Sequence, residues 1–220
     1  MPSNLDGPRR LPGYADGRMA FAALVVLGYL LGSCPWGYWL VRLVKHEDIR
    51  RVGSGNIGAT NVWRTYGRWL GVPVVLLDVL KGFTPALLGM LFVSPHYLSG
   101  IVAGAAAMLG HWRPLFLGFT KGGKMVATCG GVFFGVAVWV ALAAGAVWLL
   151  VFVTLRYASL SSIVAGCALP VIAYFLGYPT SVILFGVAAA AAILFLHRAN
   201  LMRLREGTER RFHFRRAANA

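Results

Sequence analysis

Long, predominantly apolar stretches separated by short polar segments follow one another along most of this sequence. They cover residues 19–44, 69–93, 97–117, 125–155, 162–175 and 179–196. A helix needs about 20 apolar residues to cross the hydrocarbon layer of a bilayer. Hydrophobic residues make up 58% of the chain and charged residues only 13%, which is typical of membrane proteins. The sequence therefore predicts an all-α protein that crosses the membrane several times.

The net charge of +14 at pH 7 does not indicate a nucleic-acid partner. A nucleic-acid-binding domain gathers its basic residues on one face, whereas here they lie between the apolar stretches and in the tail. Cytoplasmic loops of membrane proteins are enriched in Lys and Arg. We therefore expect contact with membrane lipid and none with nucleic acid.

Residues 125–155 carry no charge and are too long for one helix of standard length. If they crossed the membrane once, Arg156 and the basic segment from His197 onward would lie on opposite sides. Two short helices that turn between Gly135 and Gly145 keep every basic loop in the cytoplasm. The predicted fold is a polytopic bundle of about seven transmembrane helices, with the N-terminus outside and the C-terminus cytoplasmic.

The chain divides into a disordered leader over residues 1–18, an integral membrane domain over 19–212 and a basic tail over 213–220. Pro35 is expected to kink the first span, because proline removes a helix hydrogen bond. This topology brings four polar segments to one membrane face. They are residues 45–68, 111–124, 156–162 and 197–209.

The first polar segment combines small residues with amides and hydroxyls. Ser54 and Thr60 supply hydroxyls, Asn56 and Asn61 supply amides, and Gly58 lets the backbone approach an anion closely. The arginine that follows at helical spacing, Arg64, can hold a phosphate through two parallel hydrogen bonds. A plain turn followed by a helix cap is the alternative interpretation.

The second polar segment is a short glycine-lysine loop before an apolar helix. Lys121 and Lys124 flank Gly122 and Gly123, so two cations and two unobstructed backbone amides lie at a helix start. This arrangement favours phosphate binding, although a cytoplasmic loop lysine would look the same. His111, at the end of the preceding span, either holds this loop or is an interfacial structural residue.

The remaining polar segments place side chains together at a spacing of three residues. The pairs are Ser159 with Ser162, after Arg156, and His197 with Asn200. Helix capping is the alternative for the serines. Asp78 and Lys81, also three apart, lie within an apolar span and predict an internal ion pair more than a catalytic pair.

Several common catalytic patterns are absent from the sequence. No histidine is followed five positions later by aspartate, and there is no Gly-x-Ser-x-Gly motif or zinc-type cluster. The three cysteines show no metal-ligand spacing and are interpreted as small apolar residues. We expect neither a metal nor an organic cofactor.

Taken together, these segments resemble the PlsY family of acyl-phosphate:glycerol-3-phosphate acyltransferases over about residues 28–212. The resemblance rests on the order and spacing of all the motifs. They are residues 32–35, 54–61 with Arg64, 78–82, 110–111 with Pro114, 121–124 with Ala127 and Thr128, Arg156 with Ser159, and His197 with Asn200, Gly207 and Glu209.

The resemblance implies a bacterial inner-membrane enzyme whose active site faces the cytoplasm, with acyl phosphate and glycerol 3-phosphate as substrates. It implies glycerol 3-phosphate binding by the glycine-lysine loop and a structural role for Glu209. The residues with an implied catalytic role are Ser54, Arg64, Lys124, Ser162, His197 and Asn200. The predicted substrate site is completed by Asn56, Gly58, Thr60, Asn61, Lys121, Arg156 and Ser159. Two residues depart from the family pattern: Met125 replaces a glycine, and Ala199 replaces an acidic residue.

An acyl phosphate is already activated, so alignment and charge stabilisation supply the rate without an acyl-enzyme intermediate. The predicted clamp comprises Arg64, Lys124 and the backbone amides of Gly122 and Gly123. Either His197 or a substrate phosphate oxygen accepts the hydroxyl proton. We expect a monomer.

The acyl chain is expected between helices, where Gly32, Gly104 and Ala107 leave room. A transporter of phosphate esters or other anions is the competing functional class, because it too needs basic residues and glycine-rich loops. Transport favours binding groups near the membrane midplane, and only Asp78 and Lys81 lie there.

Overall fold

The computed structural model describes residues 13–212, and within that range it contains helices and no strand. The α-helices are α1 (Gly13–Gly32), α2 (Trp36–Lys45), α3 (Ala59–Tyr66), α4 (Arg68–Phe92), α5 (His96–Trp112), α6 (Val126–Val136), α7 (Val138–Leu155), α8 (Ala158–Phe175), α9 (Thr180–Leu196) and α10 (Arg198–Arg205). Single 3-10 turns cover Ile49–Arg51 and Leu115–Leu117. The all-α prediction is confirmed.

Within these residues, four helical segments are long and apolar enough to cross a membrane. They are Gly17–Lys45, Arg68–Phe92, Val138–Leu155 and Ala158–Phe175. A fifth is possible if α9 and α10, which are bent by 59°, form one broken span. Large apolar side chains on these helices face outward, among them Leu150 and Phe175 at 67% and 79% exposure. A multi-pass membrane protein follows from this pattern, since water would not favour such a surface.

The breaks between helices lie close to the predicted ones. Helix α1 ends at Gly32 and α2 begins at Trp36, so the chain breaks around Pro35 as expected. Residues 126–155 form two helices joined at Ala137, inside the window predicted for the turn. Helix α8, however, begins four residues before the predicted Ser162, because the helix already includes the serine segment.

The structure describes only part of the predicted leader and none of the predicted basic tail. Helix α1 already begins at Gly13, so residues 13–18 of the predicted leader are helical. The rest of that leader and the basic tail over residues 213–220 lie outside the described residues.

Small residues let the helices approach closely. A Cβ on Gly32 would lie 2.1 Å from the carbonyl oxygen of Ala107, and one on Gly82 would lie 2.1 Å from that of Thr128. Glycine is therefore required where α1 meets α5 and where α4 meets α6. Aromatic packing continues this core, since the Phe133 and Phe185 rings stack with centroids 5.2 Å apart. This rigid packing fixes α3, the loop before α6, and the ends of α8 and α10 around one cavity.

Candidate active site

The central feature of the described structure is a cavity of about 1130 Å³ that is polar at its mouth and apolar in its depth. The mouth is lined by loop and short-helix residues, among them Ser54, Arg64, Lys124, His197 and Asn200. The depth is lined by residues of α4, α6, α7, α8 and α9, including Val75, Phe134, Gly145, Leu149, Phe152 and Leu169. Such a cavity can hold a charged group and an apolar chain at once.

Asn61 shapes the first polar loop from the inside. Its side chain is buried, its Oδ1 accepts from the Ser54 amide at 2.9 Å, and its Nδ2 donates to the carbonyl oxygens of Val52 at 3.0 Å and Asn56 at 2.9 Å. The amide group is thus used within the protein. Asn61 borders the cavity as predicted, but it holds the loop instead of offering a free donor.

Asn56 connects the first loop to the glycine-lysine loop. Its Oδ1 accepts from the Gly58 amide at 2.8 Å, and its Nδ2 donates to the Gly122 carbonyl oxygen at 3.4 Å. Ser54 and Thr60 line the cavity with exposed side chains, which leaves their hydroxyls available to a ligand. The two predicted phosphate-binding segments therefore meet in space.

The guanidinium group of Arg64 lines the cavity, and only part of its hydrogen-bonding capacity is satisfied within the protein. Its Nη2 donates to the Arg210 carbonyl oxygen at 2.8 Å, and the guanidinium carbon lies over the Phe212 ring at 5.6 Å from the centroid. Its buried Nε has no hydrogen-bond partner among residues 13–212. Burial lowers the pKa of Arg64, with attraction to Glu209 opposing the shift. A buried donor without a partner is costly, so an anion at this point would be bound strongly.

Both glycine amides of the glycine-lysine loop donate to backbone carbonyl oxygens within the protein. The Gly122 amide donates to the Trp112 carbonyl oxygen at 2.8 Å, and the Gly123 amide donates to that of His111 at 2.9 Å. Both amides thus satisfy the carbonyl end of α5, and a phosphate clamp formed by them stays a prediction. Lys121 is exposed and lines the cavity, whereas Gly122 is buried and does not.

Lys124 lies at the centre of the mouth. Its Nζ donates to Asn200 Oδ1 at 2.5 Å. Burial lowers the pKa of Lys124 to about 8; Glu209 opposes the shift, while Arg203, Lys121 and Arg64 add to it by repulsion. An anion would relieve this crowding of positive charge.

Glu209 joins three of the segments that form the mouth. Its Oε1 accepts from Ser159 Oγ and from Asn200 Nδ2, both at 2.7 Å, and its Oε2 accepts from Arg203 Nε at 2.8 Å. Burial raises the pKa of Glu209, but these hydrogen bonds outweigh it, so the net shift is downward. Ser159 therefore contributes to the site through Glu209.

His197 has one ring nitrogen fixed by the backbone. Its Nδ1 lies 2.8 Å from the Ile193 carbonyl oxygen. A carbonyl only accepts, so Nδ1 carries the proton and the neutral ring keeps Nε2 as an acceptor. His197 is buried and lines the cavity mouth, so a ring nitrogen that can accept a proton belongs to the site.

Ser162 and Arg156 differ in their relation to the cavity. Ser162 lines it and is engaged, since its Oγ donates to the Ala158 carbonyl oxygen at 2.7 Å and accepts from Trp148 Nε1 at 3.1 Å. Arg156 is exposed, does not line the cavity, and ends α7 in a left-handed conformation with φ 62°. A direct contact between Arg156 and the substrate therefore stays a prediction. In this structure the Arg156 carbonyl oxygen accepts from the Phe212 amide at 2.7 Å.

The residues expected to make room for an acyl chain lie elsewhere. Gly32 and Ala107 pack α1 against α5, and a Cβ on Gly104 would lie 2.4 Å from Val132. None of the three lines the cavity. Small residues that do line it include Gly130 and Gly145, where a Cβ would meet nothing within 4 Å.

Several lining residues were not expected from the sequence. Trp148, Phe152 and Phe212 form part of the wall, with Trp148 and Phe152 stacked at 4.7 Å. Apolar helices carry many aromatic residues, so nothing in the sequence distinguished these. Arg203 was expected only to add positive charge, and the spacing of residues did not indicate its hydrogen bond to Glu209.

The two departures from the family pattern are accommodated differently. Met125 is buried and adopts φ 66°, a conformation in which glycine has no steric cost. The loop thus keeps a glycine-like turn with a methionine. Ala199 is exposed at the cavity mouth, where it adds no charge.

Comparison with known proteins gives a consistent result. Residues 22–207 match the family described as glycerol-3-phosphate acyltransferase. The glycerol-3-phosphate acyltransferase of Aquifex aeolicus is 45% identical over 189 residues, which is 86% of this chain and 97% of that protein. That of Endomicrobium trichonymphae is 45% identical over 84% of this chain and 92% of that protein.

Two crystal structures are also similar. The glycerol 3-phosphate form of PlsY (YgiH), an integral membrane glycerol 3-phosphate acyltransferase, matches with a TM-score of 0.84 and 44% identity. Its lysophosphatidic acid form matches with a TM-score of 0.81 and 42% identity. Each covers 88% of this chain and 96% of that structure.

Proposed function

We propose that this chain, which belongs to the glycerol-3-phosphate acyltransferase family, transfers a fatty acyl group to the 1-hydroxyl of glycerol 3-phosphate and releases lysophosphatidic acid. The observation that carries this proposal is the cavity, with Arg64 and Lys124 at its mouth and an apolar depth. A small phosphate ester suits the mouth and an acyl chain suits the depth. The crystal forms of the similar PlsY structures support the same pairing of ligands.

We infer that the acyl donor is an acyl phosphate. Its leaving group is a phosphate, and the mouth holds Lys124 close to three further cations, Lys121, Arg64 and Arg203. Such cations stabilise negative charge as it develops on a departing phosphate. A mixed anhydride is already activated, so the enzyme needs to align the hydroxyl with the carbonyl carbon and exclude water.

In the proposed step, the 1-hydroxyl oxygen forms an ester bond with the acyl carbonyl carbon. The bond between that carbon and the phosphate oxygen breaks, and the phosphate leaves with the electron pair. The hydroxyl proton goes to Nε2 of His197, which the Ile193 contact leaves as an acceptor, or to a phosphate oxygen of the substrate. The step consumes no oxidant and needs no acyl-enzyme.

The remaining predicted site residues take supporting roles in this proposal. Ser54 and Thr60 donate hydroxyl hydrogen bonds to the phosphate groups, and Lys121 adds charge at the entrance. Asn200 orients Lys124, while Ser162 shapes the wall beside Trp148. The two loops and Glu209 are held in place by Asn56, Gly58, Asn61, Gly122, Gly123 and Ser159.

We also propose a topology of seven crossings, with the N-terminus outside, in the cytoplasmic membrane of a bacterium. This count takes α1 with α2 as one span and α4 to α9 as one each. The cavity mouth then opens on the cytoplasmic side, together with the basic loops. Because the cavity is built from one chain, a monomer suffices for activity.

The test is incorporation of radiolabelled glycerol 3-phosphate into lipid by purified protein in nanodiscs. Acyl phosphate, acyl-CoA and acyl carrier protein are compared as donors at equal concentration. Labelled lipid with acyl phosphate alone is the expected result. Incorporation with acyl-CoA at a similar rate would contradict the proposed donor, and no lipid product together with uptake into sealed vesicles would favour a transporter.

A further inference from the structure

We propose that three buried side chains, Asp78, Lys81 and His111, act as positioning residues that set the affinity for glycerol 3-phosphate through the glycine-lysine loop. The inference rests on the proposed function and extends it to residues that the proposed chemistry does not use. Asp78 and Lys81 lie on α4 and His111 near the end of α5, and Asp78 and His111 also line the cavity.

The three groups form a continuous network. Lys81 Nζ lies 2.7 Å from Asp78 Oδ1 and 2.7 Å from His111 Nδ1, and it donates to the Cys34 carbonyl oxygen at 3.0 Å. The side chains are 3%, 3% and 4% exposed for Lys81, Asp78 and His111. The network thus ties three separate segments of the chain to one ammonium group.

The network reaches the loop through His111. The His111 carbonyl oxygen accepts from the Gly123 amide at 2.9 Å. A Cβ on Gly123 would lie 1.9 Å from His111 Nε2, so the ring packs directly against the loop backbone. The next residue is Lys124, whose Nζ contacts Asn200 at the cavity mouth. A change in the ring's position would therefore displace the central cation of the site.

The charges explain why the ring has one orientation. An ammonium group only donates, so His111 Nδ1 accepts from Lys81 and the proton of the neutral ring lies on Nε2. Buried ionic groups inside a membrane span are costly, and apolar residues of similar volume would pack at least as well. Stability alone therefore gives no reason for this network, whereas fixing one ring against Gly123 does.

The experiment compares steady-state kinetics of variants in nanodiscs. Asp78→Asn combined with Lys81→Met removes both charges without leaving one unpaired. We expect the KM for glycerol 3-phosphate to rise about 10- to 100-fold, since small displacements of a positioning group have effects of this size. The KM for the acyl donor should rise less than that for glycerol 3-phosphate, because the apolar depth that binds the acyl chain is unchanged. His111→Gln keeps an acceptor for Lys81, so its KM should rise less than that of His111→Leu.

Ser99→Ala is the matched control, because Ser99 is buried on the same helix as His111 and its hydroxyl has no hydrogen-bond partner in the described part of the chain. Its kinetic constants should equal those of the original chain. An unchanged KM for glycerol 3-phosphate in the double variant, or a proportional change of all constants, would overturn the inference. If the double variant does not fold, equal KM values for His111→Gln and His111→Leu overturn it instead. An unaltered chain that forms no product from glycerol 3-phosphate would refute the proposed function, which is a separate outcome.

Discussion

The position of Lys124 leads to a specific pH dependence of acyl transfer. Burial and neighbouring cations lower its pKa to about 8 from the ordinary value of 10.5. In the free enzyme, the ammonium is thus about nine-tenths populated at pH 7 and about one-tenth populated at pH 9. If only the ammonium form binds phosphate, kcat/KM for glycerol 3-phosphate should fall about tenfold between these pH values.

The sign follows from which form is active. The lowered pKa means that the cation is lost as pH rises through about 8, so the activity falls on the alkaline side. A phosphate monoester has its second pKa at about 6, so the charge of glycerol 3-phosphate changes little between pH 7 and 9. The fall therefore belongs to the enzyme.

Lys124→Arg separates Lys124 from other groups that titrate at alkaline pH. Arginine stays protonated throughout, so the variant should show a flat profile between pH 7 and 9 at a lower absolute rate. The assay is kcat/KM for glycerol 3-phosphate at five pH values, with acyl phosphate at a fixed, saturating concentration. A flat profile in the unaltered chain, or the same alkaline fall in Lys124→Arg, would show that Lys124 is not the group that titrates.

Further predictions concern the carboxylate, the cavity wall and the base. Glu209→Gln should lower kcat/KM by about 10- to 100-fold, because the charge that holds Arg203 is lost. Glu206→Gln changes an exposed neighbour and should leave kcat/KM unchanged. Equal effects of the two substitutions would contradict the role of Glu209. Gly145→Leu should fill open space in the cavity wall and shift donor preference toward shorter acyl chains. Ala146→Leu, at an exposed position of α7, should not shift this preference. A shift in both variants would indicate a general packing effect. His197→Ala should reduce kcat by about 10²- to 10⁴-fold if Nε2 is the base, and near-normal turnover would assign the proton to a substrate phosphate instead.

The parts of the fold that the sequence could predict depend on local rules. Proline at position 35 breaks the first span, and the length of the uncharged stretch after Lys124 predicts the break found at Ala137. The Asp78–Lys81 ion pair also followed, because charges three residues apart inside an apolar helix need a partner. The number of crossings remains a proposal, since helix length alone selects four or five.

The parts that could not be predicted depend on contacts distant in sequence. Glu209 meets Ser159 across 50 residues, and no spacing rule connects them. The Gly122 and Gly123 amides looked free in the sequence because their acceptors belong to the end of α5. Glycines in membrane helices serve close packing and can also line cavities, so Gly32 and Gly145 could be distinguished only in three dimensions.

The most direct test of the central claim is identification of the product formed by purified protein from glycerol 3-phosphate and acyl phosphate. Mass spectrometry of the lipid extract should show 1-acyl lysophosphatidic acid with the unaltered chain. Lys124→Ala should yield about 10²- to 10³-fold less, because one stabilising cation is lost at the reacting centre. Absence of lysophosphatidic acid from the unaltered chain, or equal amounts from Lys124→Ala, would contradict the account.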